Sequence, residues 1–418
     1  MTEVIIPVQL TMRWHRSIVI KQSSNATKQA EDPFAVMADR SPRGCESSGM
    51  ESRIESDDTS TIPFPKRLFR GTQRRWRKAL SHIVAKFAKW GARSSWFSWM
   101  YFAFWSRRMH REQRAMLAGW LKFQEEATNP VASCAQLRRG IHRLEKGLLM
   151  RPRRDVFGLD YIQDVFSTYK QMLMHAENCS TTSDELSWAN DVLTEYFEVT
   201  TDHPKIDPLR QEFRNLTHPP TASAALHTPY KRDLSTPPPL SYDQLLILSQ
   251  RRRSVRWFSP ESVPRDVITK AVAIGGQSPS ACNRQPFVLR IFDDPDLVQQ
   301  VAKLPFGTAG YAHNIPVIAV VIGQLRNYFD ARDRHLIYID ASLAAMGFIY
   351  ALETQGIGTC CINWPDIEER ERKMEQLLKL EPDERPIMLI ALGYPDPEGM
   401  VAYSQKKPVE QLCRFNFE

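Results

Sequence analysis

The sequence predicts an α+β fold for the second half of the chain, with a helical region before it. Two apolar runs, 316–322 and 387–392, are typical of buried strands. Residues 339–354 form an apolar segment of helical length, and the glycine at 356 is a residue type that ends helices. Because strands and helices alternate irregularly, the pattern favours a sheet flanked by helices over a doubly wound sheet.

Shorter elements fill the rest of this half. The spacing of apolar residues predicts a helix at 266–274, a strand at 288–292 and a charged amphipathic helix at 368–380. No Gly-x-Gly-x-x-Gly run follows a strand, which argues against a dinucleotide-binding Rossmann domain. These elements together predict one α+β domain at residues 241–418.

The positive charge of the chain is concentrated in its first half. The 418 residues carry a formal net charge of +7, and 42% of them are hydrophobic, as in a soluble protein of two or three domains. Residues 66–114, however, contain fourteen Lys and Arg against one acid, Glu112. That stretch therefore contributes +13, and the remainder of the chain sums to −6.

Aromatic residues accompany this basic stretch. Apolar residues at 83, 84, 87 and 90 share one face of a predicted helix, and an aromatic run follows at 96–105. A bilayer span needs about 20 predominantly apolar residues. Lys89 and Arg93 interrupt this segment, so no transmembrane span is predicted. Six of the ten tryptophans lie in or just after the basic stretch: Trp76, Trp90, Trp96, Trp99, Trp105 and Trp120.

Three roles remain open for residues 66–128. Cations around Trp and Phe are typical of a peripheral membrane contact, because aromatic rings favour the headgroup region and Lys and Arg are attracted to anionic lipid. Packing inside the protein or against a second copy would use the aromatic residues without an outside partner. Binding to nucleic acid would use the same mixture of cations and rings, and it is the least favoured.

Composition divides the chain into five segments. Residues 1–62 are polar and lack the apolar core and cleavage site of a signal peptide, so they are predicted to be disordered. The basic aromatic segment 63–128 and a helical region, 129–216, follow. A proline-rich linker at 217–240 then precedes the domain at 241–418.

One charged helix stands out in the helical region. It spans residues 137–148 and contains His142, Arg143, Glu145 and Lys146. These side chains could form a ligand site. The commoner outcome is ion pairing between residues three or four apart on an exposed helix.

The seven cysteines indicate neither a metal site nor a disulfide framework. They include no Cys-x-x-Cys pair and no Cys/His grouping with zinc spacing. An odd number without a framework favours a reducing compartment, so we expect a cytoplasmic protein, at the membrane surface if residues 66–128 bind lipid. Adjacent Cys360 and Cys361 are interpreted as packing residues of a buried strand.

A short basic run is the first indication of a ligand. Arg252 and Arg253 carry planar donor groups that match phosphate, and Ser254 adds a hydroxyl. Arg256 lies two residues beyond Ser254, so in an extended stretch both would face the same side as Arg252. The alternative is a set of solvated cations after a helix at 242–249, where positive charge is favourable without any ligand.

A polar loop about twenty residues later is the second indication. Ser280, Asn283 and Gln285 supply donors and acceptors, and Pro279 restricts the backbone, which lowers the entropy lost when a ligand binds. Such a loop suits a flat ring with polar edges, although an ordinary turn has the same composition. Together the two segments favour a phosphorylated flavin.

Residues 242–415 resemble the nitroreductase family of flavoproteins. Two runs carry the resemblance: Arg-Arg-Ser-x-Arg-x-Phe at 252–258 and Pro-Ser-x-x-Asn-x-Gln-Pro-Phe at 279–287. Weaker signals follow in the family's order at 356–362, at 391–395 and at a basic pair, 406–407. The resemblance implies a nitroreductase-like mixed sheet flanked by helices, with FMN as cofactor.

The resemblance also implies which residues hold the flavin. The basic run would bind the phosphate and ribityl chain, and the late lysine pair would complete the phosphate site. Arg256 would approach the pyrimidine edge of the ring and stabilise the negative charge of the reduced flavin. The implied cofactor-binding residues are Arg252, Arg253, Ser254, Arg256, Pro279, Ser280, Asn283, Gln285, Cys361, Ile362, Asn363, Gly393, Lys406 and Lys407.

For activity, the resemblance implies an FMN-dependent NAD(P)H oxidoreductase. NADH or NADPH would dock transiently and give hydride to the flavin, and a small organic acceptor would then remove it by a ping-pong mechanism. No residue of the chain is assigned a certain catalytic role. The family usually forms homodimers that hold each flavin at the subunit interface. The alternative is a non-redox scaffold or sensor in a membrane or polysaccharide-assembly complex.

One departure from the family concerns the substrate cavity. An acidic residue and a glycine often follow the position of Ile362 in this family, and here they are replaced by Asn363 and Trp364. The bulky Trp364 would narrow the cavity. This departure affects the prediction of the electron acceptor more than the prediction of FMN binding.

Overall fold

The second half of the chain is built on a four-stranded sheet. The computed structural model describes residues 89–106, 109–128, 135–175, 183–216 and 227–416. The strands are β1 (Phe287–Phe292), β2 (Val317–Gln324), β3 (Gly358–Asn363) and β4 (Glu384–Gly393), in the spatial order β1-β2-β4-β3. Their pairings are antiparallel, and an isolated bridge between Ser254 and Thr359 adds a parallel contact at the β3 edge. The predicted α+β class is confirmed.

Helices flank this sheet and form the region before it. The elements predicted for the second half are present, with ends that differ by a few residues. The last long helix, for example, ends at Leu378 because Lys379 adopts a left-handed conformation. The helices are α1 (Ser95–Met100), α2 (His110–Thr128), α3 (Ala135–Leu148), α4 (Ile162–His175), α5 (Ser183–Val199), α6 (Asp207–Arg214), α7 (Tyr242–Arg251), α8 (Arg265–Gly276), α9 (Pro295–Ala302), α10 (Leu336–Thr354), α11 (Glu368–Leu378) and α12 (Val409–Leu412).

The sheet separates two apolar cores. Successive residues of β2 enter opposite cores, because side chains alternate between the faces of a strand. The odd-numbered residues of β2 from 317 to 321 pack with α8 and α10. The even-numbered residues from 318 to 322 pack with α9 and α11. Burial on both faces explains the continuous apolar run in the sequence.

α10 is the core helix of this half. With the turn before it, Ala331–Thr354 has the length and mean hydropathy, 1.5, of a membrane span, and half of its most apolar stretch is buried inside the chain. The core helix of a soluble protein has the same length and composition. The contacts of α10 with β2 and α8 give it that role. Gly356, at φ +79°, ends it as expected.

The helical region before the sheet has a core of its own. α3 to α6 bury a cluster that includes Tyr169 and Tyr196. α2 packs instead on the sheet domain, where Ala115 joins a small cluster with Leu325 and Ile337. Contacts of this kind join the helices to the α+β domain.

The aromatic segment 89–106 lies on the surface. No residue of α1 is buried, and Trp96 and Trp99 expose about 60% of their surface, at 59% and 61%. Their neighbours are other rings of the same segment, such as Phe97 and Phe104. Packing inside the single chain does not bury these rings in the described part of the segment. The predicted disordered segment 1–62, most of the helix predicted at 83–90 and residues 217–226 of the linker lie outside the described residues.

The end of β4 is packed so closely that it needs a glycine. Gly393 is buried, and a Cβ atom there would lie 2.5 Å from Cγ of Pro316 and 2.9 Å from Cδ1 of Phe258. Phe258 is itself only 3% exposed in the core beneath the sheet. Gly393 therefore serves packing between elements, and its cofactor-binding role stays a prediction.

We expect Gly393→Ala to lower the free energy of unfolding by about 1–3 kcal/mol, the usual cost of overpacking a core. Urea denaturation of the purified protein measures this change. Gly310→Ala is the matched control, since a Cβ atom at Gly310 meets nothing within 4 Å. Equal stability of the two variants would show that the contact with Pro316 and Phe258 is not as tight as described.

Candidate functional site

The basic run lies along the outer edge of the sheet. α7 ends at Arg251, and the next residues are extended beside β3. The backbone N–H of Val255 donates a hydrogen bond of 2.9 Å to the carbonyl of Thr359. Val255 is buried, and it would collide with any side chain at Gly358. This packing brings the first sequence signal against the third.

The chain beyond the basic run joins the fourth signal in the same way. Phe258 forms an antiparallel bridge with Pro395. The N–H of Ser259 donates to the carbonyl of Tyr394 at 2.9 Å, and the N–H of Asp396 donates to the carbonyl of Trp257 at 3.0 Å. Three of the five sequence signals therefore share one edge of the sheet.

The two leading arginines of the run are available to a ligand. Neither Arg252 nor Arg253 makes a side-chain hydrogen bond or ion pair within the described residues. Cys361 is exposed as a residue, yet desolvation of its thiol raises its pKa, and the charge of Arg252 opposes that rise. Arg252 therefore lies close to the exposed side of β3. Two unpaired guanidinium groups there fit a phosphate ligand.

Arg256 has different neighbours from Arg252. Its guanidinium lies 5.8 Å from the ring centroid of Tyr311, and the Tyr311 hydroxyl is 3.7 Å from Sγ of Cys360. Desolvation and the contact with Cys360 raise the pKa of Tyr311 to about 12, while the charge of Arg256 opposes the rise. Cys360 and Cys361 point to opposite faces of the strand. Arg252 and Arg256 thus have different charged or polar neighbours, Cys361 and Tyr311 respectively, and whether both meet one ligand stays a prediction.

β3 exposes alternate residues of the predicted set. Cys361 and Asn363 are exposed, whereas Ile362 is 3% exposed and belongs to the core. The interpretation of both cysteines as buried packing residues holds for Cys360 and is wrong for Cys361. Only the backbone of Ile362 is thus available at this edge.

Trp364 is part of the core. It is 7% exposed, and its indole N–H donates to Oε1 of Glu371 at 2.6 Å. Burial raises the pKa of Glu371, and the nearby Arg385 opposes that rise. The prediction that Trp364 narrows a substrate cavity is corrected, because alternation along β3 turns this side chain towards α11 and away from Cys361 and Asn363.

The polar loop is held in an uncommon backbone conformation. Cys282, Asn283 and Gln285 have φ values of 54°, 51° and 49°, in the left-handed region that residues other than glycine seldom adopt. Ser280 accepts a hydrogen bond from the N–H of Gln285 at 3.0 Å, and the Gln285 amide donates to the carbonyl of Gly276 at 2.8 Å. Two predicted ligand contacts, Ser280 and Gln285, thus hold the loop itself.

Two residues that the sequence did not single out fix this loop. Arg138 of α3 donates to the carbonyl of Asn283 at 2.9 Å and to Oε1 of Gln285 at 3.0 Å. The buried carboxylate of Asp340 accepts from the N–H of Ala281 at 2.9 Å. Backbone strain of this kind persists only where the surroundings enforce it. The charged helix at 137–148 was the available signal. Its His142 and Glu145 do pair three residues apart, but the pair is part-buried and the helix is not an exposed one.

The loop and the basic run lie at opposite ends of α10. Asp340, near the start of the helix, holds the loop. Near its end, the Tyr350 hydroxyl is 3.0 Å from that of Ser249, and Glu353 pairs with Arg251 at 2.9 Å. Ten to thirteen residues separate these contacts, which is about 15–20 Å along a helix. The two signals therefore do not meet in one chain.

The late lysine pair is also separate from the basic run. Lys406 and Lys407 lie in the segment 401–416, of which every residue is exposed. The backbone hydrogen bonds of this segment join near neighbours, such as Cys413 to Val409. Among the described residues, nothing brings the pair against Arg252.

Comparison with known proteins agrees with the predicted resemblance. Residues 250–309 and 297–394 match the model of the nitroreductase family. The chain is 23% identical over 260 residues to iodotyrosine deiodinase 1 of Pongo abelii, which covers 56% of this chain and 86% of that protein. It is 25% identical over 183 residues to iodotyrosine deiodinase of Haliscomenobacter hydrossis, covering 37% and 81%.

A solved structure of the same family is similar as well. An FMN-dependent nitroreductase from Clostridium difficile R20291 is 19% identical, and the similarity covers 41% of this chain and 98% of that one, with a TM-score of 0.35.

Proposed function

We propose, from the premise that its C-terminal half is a nitroreductase-family domain, that this protein is an FMN-dependent oxidoreductase. Electrons would come from NADH or NADPH and pass to a small organic acceptor. The observation that carries the proposal is the pair of unpartnered guanidinium groups, Arg252 and Arg253, beside the exposed edge of β3. Cationic side chains with free donors at a polar sheet edge fit a phosphorylated cofactor.

Each part of the chain has a proposed role towards the cofactor. Arg252, Arg253 and the Ser254 hydroxyl would bind the phosphate end, with Lys406 and Lys407 completing that site. FMN, when bound, supplies a ring that accepts and returns a hydride. Asn283 and the left-handed backbone around it would meet the ring. The positive charge of Arg256 would favour negative charge on the ring edge.

Tyr311 is proposed to hold a proton next to Arg256. Its pKa of about 12 keeps the phenol neutral near pH 7, because desolvation and Cys360 oppose ionisation more strongly than Arg256 favours it. A neutral phenol can donate its hydroxyl proton in a hydrogen bond. Loss of that proton begins only in strongly alkaline solution.

A homodimer is proposed to complete each site. The separation of the basic run from the polar loop along α10 leaves half of the predicted contacts at each end, so the missing half would come from a second copy. Exposed apolar residues support this arrangement: Ile339 and Leu343 on α10, Leu245 and Ile247 on α7, and Tyr403, Leu412 and Phe415 in the C-terminal segment. Exposed apolar surface of this kind marks protein interfaces.

The names of the relatives favour a second candidate acceptor. Several similar proteins are iodotyrosine deiodinases. In reductive deiodination an aryl C–I bond is replaced by C–H, two electrons and a proton enter, and iodide leaves. Iodide release from iodotyrosine under reducing conditions, compared with consumption of NADH or NADPH by a nitro compound or quinone, separates the two acceptors.

We expect Arg252→Ala to weaken FMN binding by about tenfold or more, because a hydrogen bond to a charged group contributes about 1.5–3 kcal/mol. Fluorescence titration with FMN measures the dissociation constant. Lys270→Ala is the control, since within the described residues that exposed cation on α8 pairs only with exposed Asp266. A colourless protein that takes up no added FMN would overturn the flavin proposal and favour the non-redox scaffold.

A further inference from the structure

Three guanidinium groups surround the ring of Phe329. The guanidinium carbon of Arg139, from α3, lies 4.4 Å from the ring centroid. Arg332 approaches at 4.9 Å, from the turn before α10, and Arg284 at 6.0 Å, from the end of the polar loop. Three separate parts of the chain therefore bring positive charge to one point.

The charge of this arginine cluster is not balanced by the protein. Among the described residues, the only carboxylate within 4 Å of any of the three cations is Asp333, at 3.6 Å from Arg284 and 3.8 Å from Arg332. Burial and the charges of Arg143, Arg284 and Arg332 lower the pKa of Arg139. Three cations against one carboxylate leave a charge of about +2, which disfavours the cluster unless an anion joins it.

Arg284 has a donor with no acceptor. The residue is 4% exposed, and its Nε–H is buried without a hydrogen-bond partner within the described chain. An unsatisfied buried donor costs free energy, and more so on a charged group. The loop fixes the side chain there, because the backbone on both sides of Arg284 is left-handed at Asn283 and Gln285. The position is built into the fold and is not the chance orientation of a surface side chain.

We propose that the arginine cluster binds a phosphate or pyrophosphate group of a small molecule. A guanidinium fork matches phosphate oxygens bidentately. A phosphate carries about −1.5 to −2 near pH 7, which balances the excess charge, whereas a single carboxylate would leave half of it. The ring of Phe329 holds the three guanidinium groups near one point. A nucleotide or a free phosphate could supply this group.

This site is separate from the proposed FMN phosphate site. The cluster adjoins the polar loop near the start of α10, whereas Arg252 and Arg253 lie near its end. Binding of an anion to the cluster requires no flavin, so the inference stands even if the proposed function fails. If FMN does bind, a phosphorylated substrate held here would lie beside the loop that is proposed to meet the ring.

Isothermal titration of the full chain with inorganic pyrophosphate, at constant ionic strength, tests the proposal. We expect saturable binding of one pyrophosphate per chain. Arg332→Gln should weaken it by about tenfold, and Arg139→Gln by at least as much, through loss of charge-assisted bonds. Arg332 has a side chain that is 66% exposed, so its variant should fold even if that of Arg139 does not. Lys146→Gln is the control, because Lys146 is an exposed cation on α3, the helix that carries Arg139.

Arg252→Ala should leave pyrophosphate binding unchanged. Loss of binding in Arg252→Ala with retention in Arg332→Gln would assign the anion to the flavin site and overturn the proposal. Absence of saturable binding, or an equal loss with Lys146→Gln, would also overturn it. If ADP binds more tightly than pyrophosphate, a nucleotide is the source of the phosphate group. If the two bind with equal affinity, a free phosphate is the source. Both results support the site.

A second, independent inference concerns the aromatic segment 89–106. Trp90 exposes 58% of its surface and Phe104 exposes 74%. The rings contact one another edge to face, as Trp96 and Phe97 do at 5.1 Å, so the segment forms a cluster whose outer side is apolar. Exposed aromatic surface of this size needs a covering partner.

The surrounding charge identifies the partner. Residues 66–114 carry +13, and Lys89 and Arg93 lie within the described part of that stretch. A second copy would bring the same charge and be repelled, whereas an anionic bilayer would attract it at about 1 kcal/mol for each cation near the surface. Trp, Tyr and Phe favour the headgroup region of a bilayer. We infer that this segment binds the surface of anionic membranes peripherally.

Flotation of the full chain with vesicles of phosphatidylcholine alone or with phosphatidylserine tests this inference. We expect flotation with the anionic vesicles, and loss of at least tenfold in bound protein for the combined variant Trp96→Ser, Trp99→Ser and Phe104→Ser. Tyr230→Ser with Leu234→Ser is the control, because those residues are 89% and 84% exposed outside the segment. No flotation, equal flotation of the combined variant, or displacement of the protein by RNA would overturn the inference.

Discussion

The packing of α10 against the sheet is the constraint on which the rest of the structure depends. The helix is buried against alternate residues of β2 on one side and against α8 on the other. Its two ends then make polar contacts: Asp340 holds the polar loop, and Tyr350 and Glu353 hold the end of α7. A buried helix is a rigid spacer. The two sequence signals are therefore fixed apart within one chain.

The sequence could predict the fold of the second half because its elements are buried and regular. The continuous apolar run of β2 follows from burial on both faces, and Gly356 marks the end of α10 through its left-handed conformation. The resemblance to nitroreductases also placed the basic run, β3 and the end of β4 in one region. Burial of a strand, the end of a helix and the order of motifs along the chain all leave a local pattern in the sequence, so they could be predicted.

The use of individual side chains could not be predicted in the same way. Ser280 and Gln285 belong to a motif associated with a ligand, yet here their polar atoms stabilise the loop. Trp364 was interpreted from its size, whereas the alternation of β3 buries it beside Glu371. Arg138 reaches the loop from more than a hundred residues away in the chain. Contacts between distant segments leave no local pattern in a single sequence.

The helical region before the sheet contacts the polar loop of the proposed flavin domain through α3. Arg138 and Arg139 are neighbours on α3, and one holds the polar loop while the other joins the arginine cluster at its end. An extra helical layer that supports the loop and adds positive charge would affect which substrate binds.

The central claim is that two copies of the chain share each flavin site, and a mixed dimer tests it most directly. One copy carries Arg252→Ala, and the other carries Asn283→Gly, which removes the side chain but keeps the left-handed backbone. If both chains contribute to each site, one site of the mixed dimer has both changes and the other has none. Titration should then show one FMN bound with wild-type affinity per mixed dimer. Two weakened sites, one carrying each change and neither with wild-type affinity, would contradict the account, because the basic run and the loop would then act within a single chain.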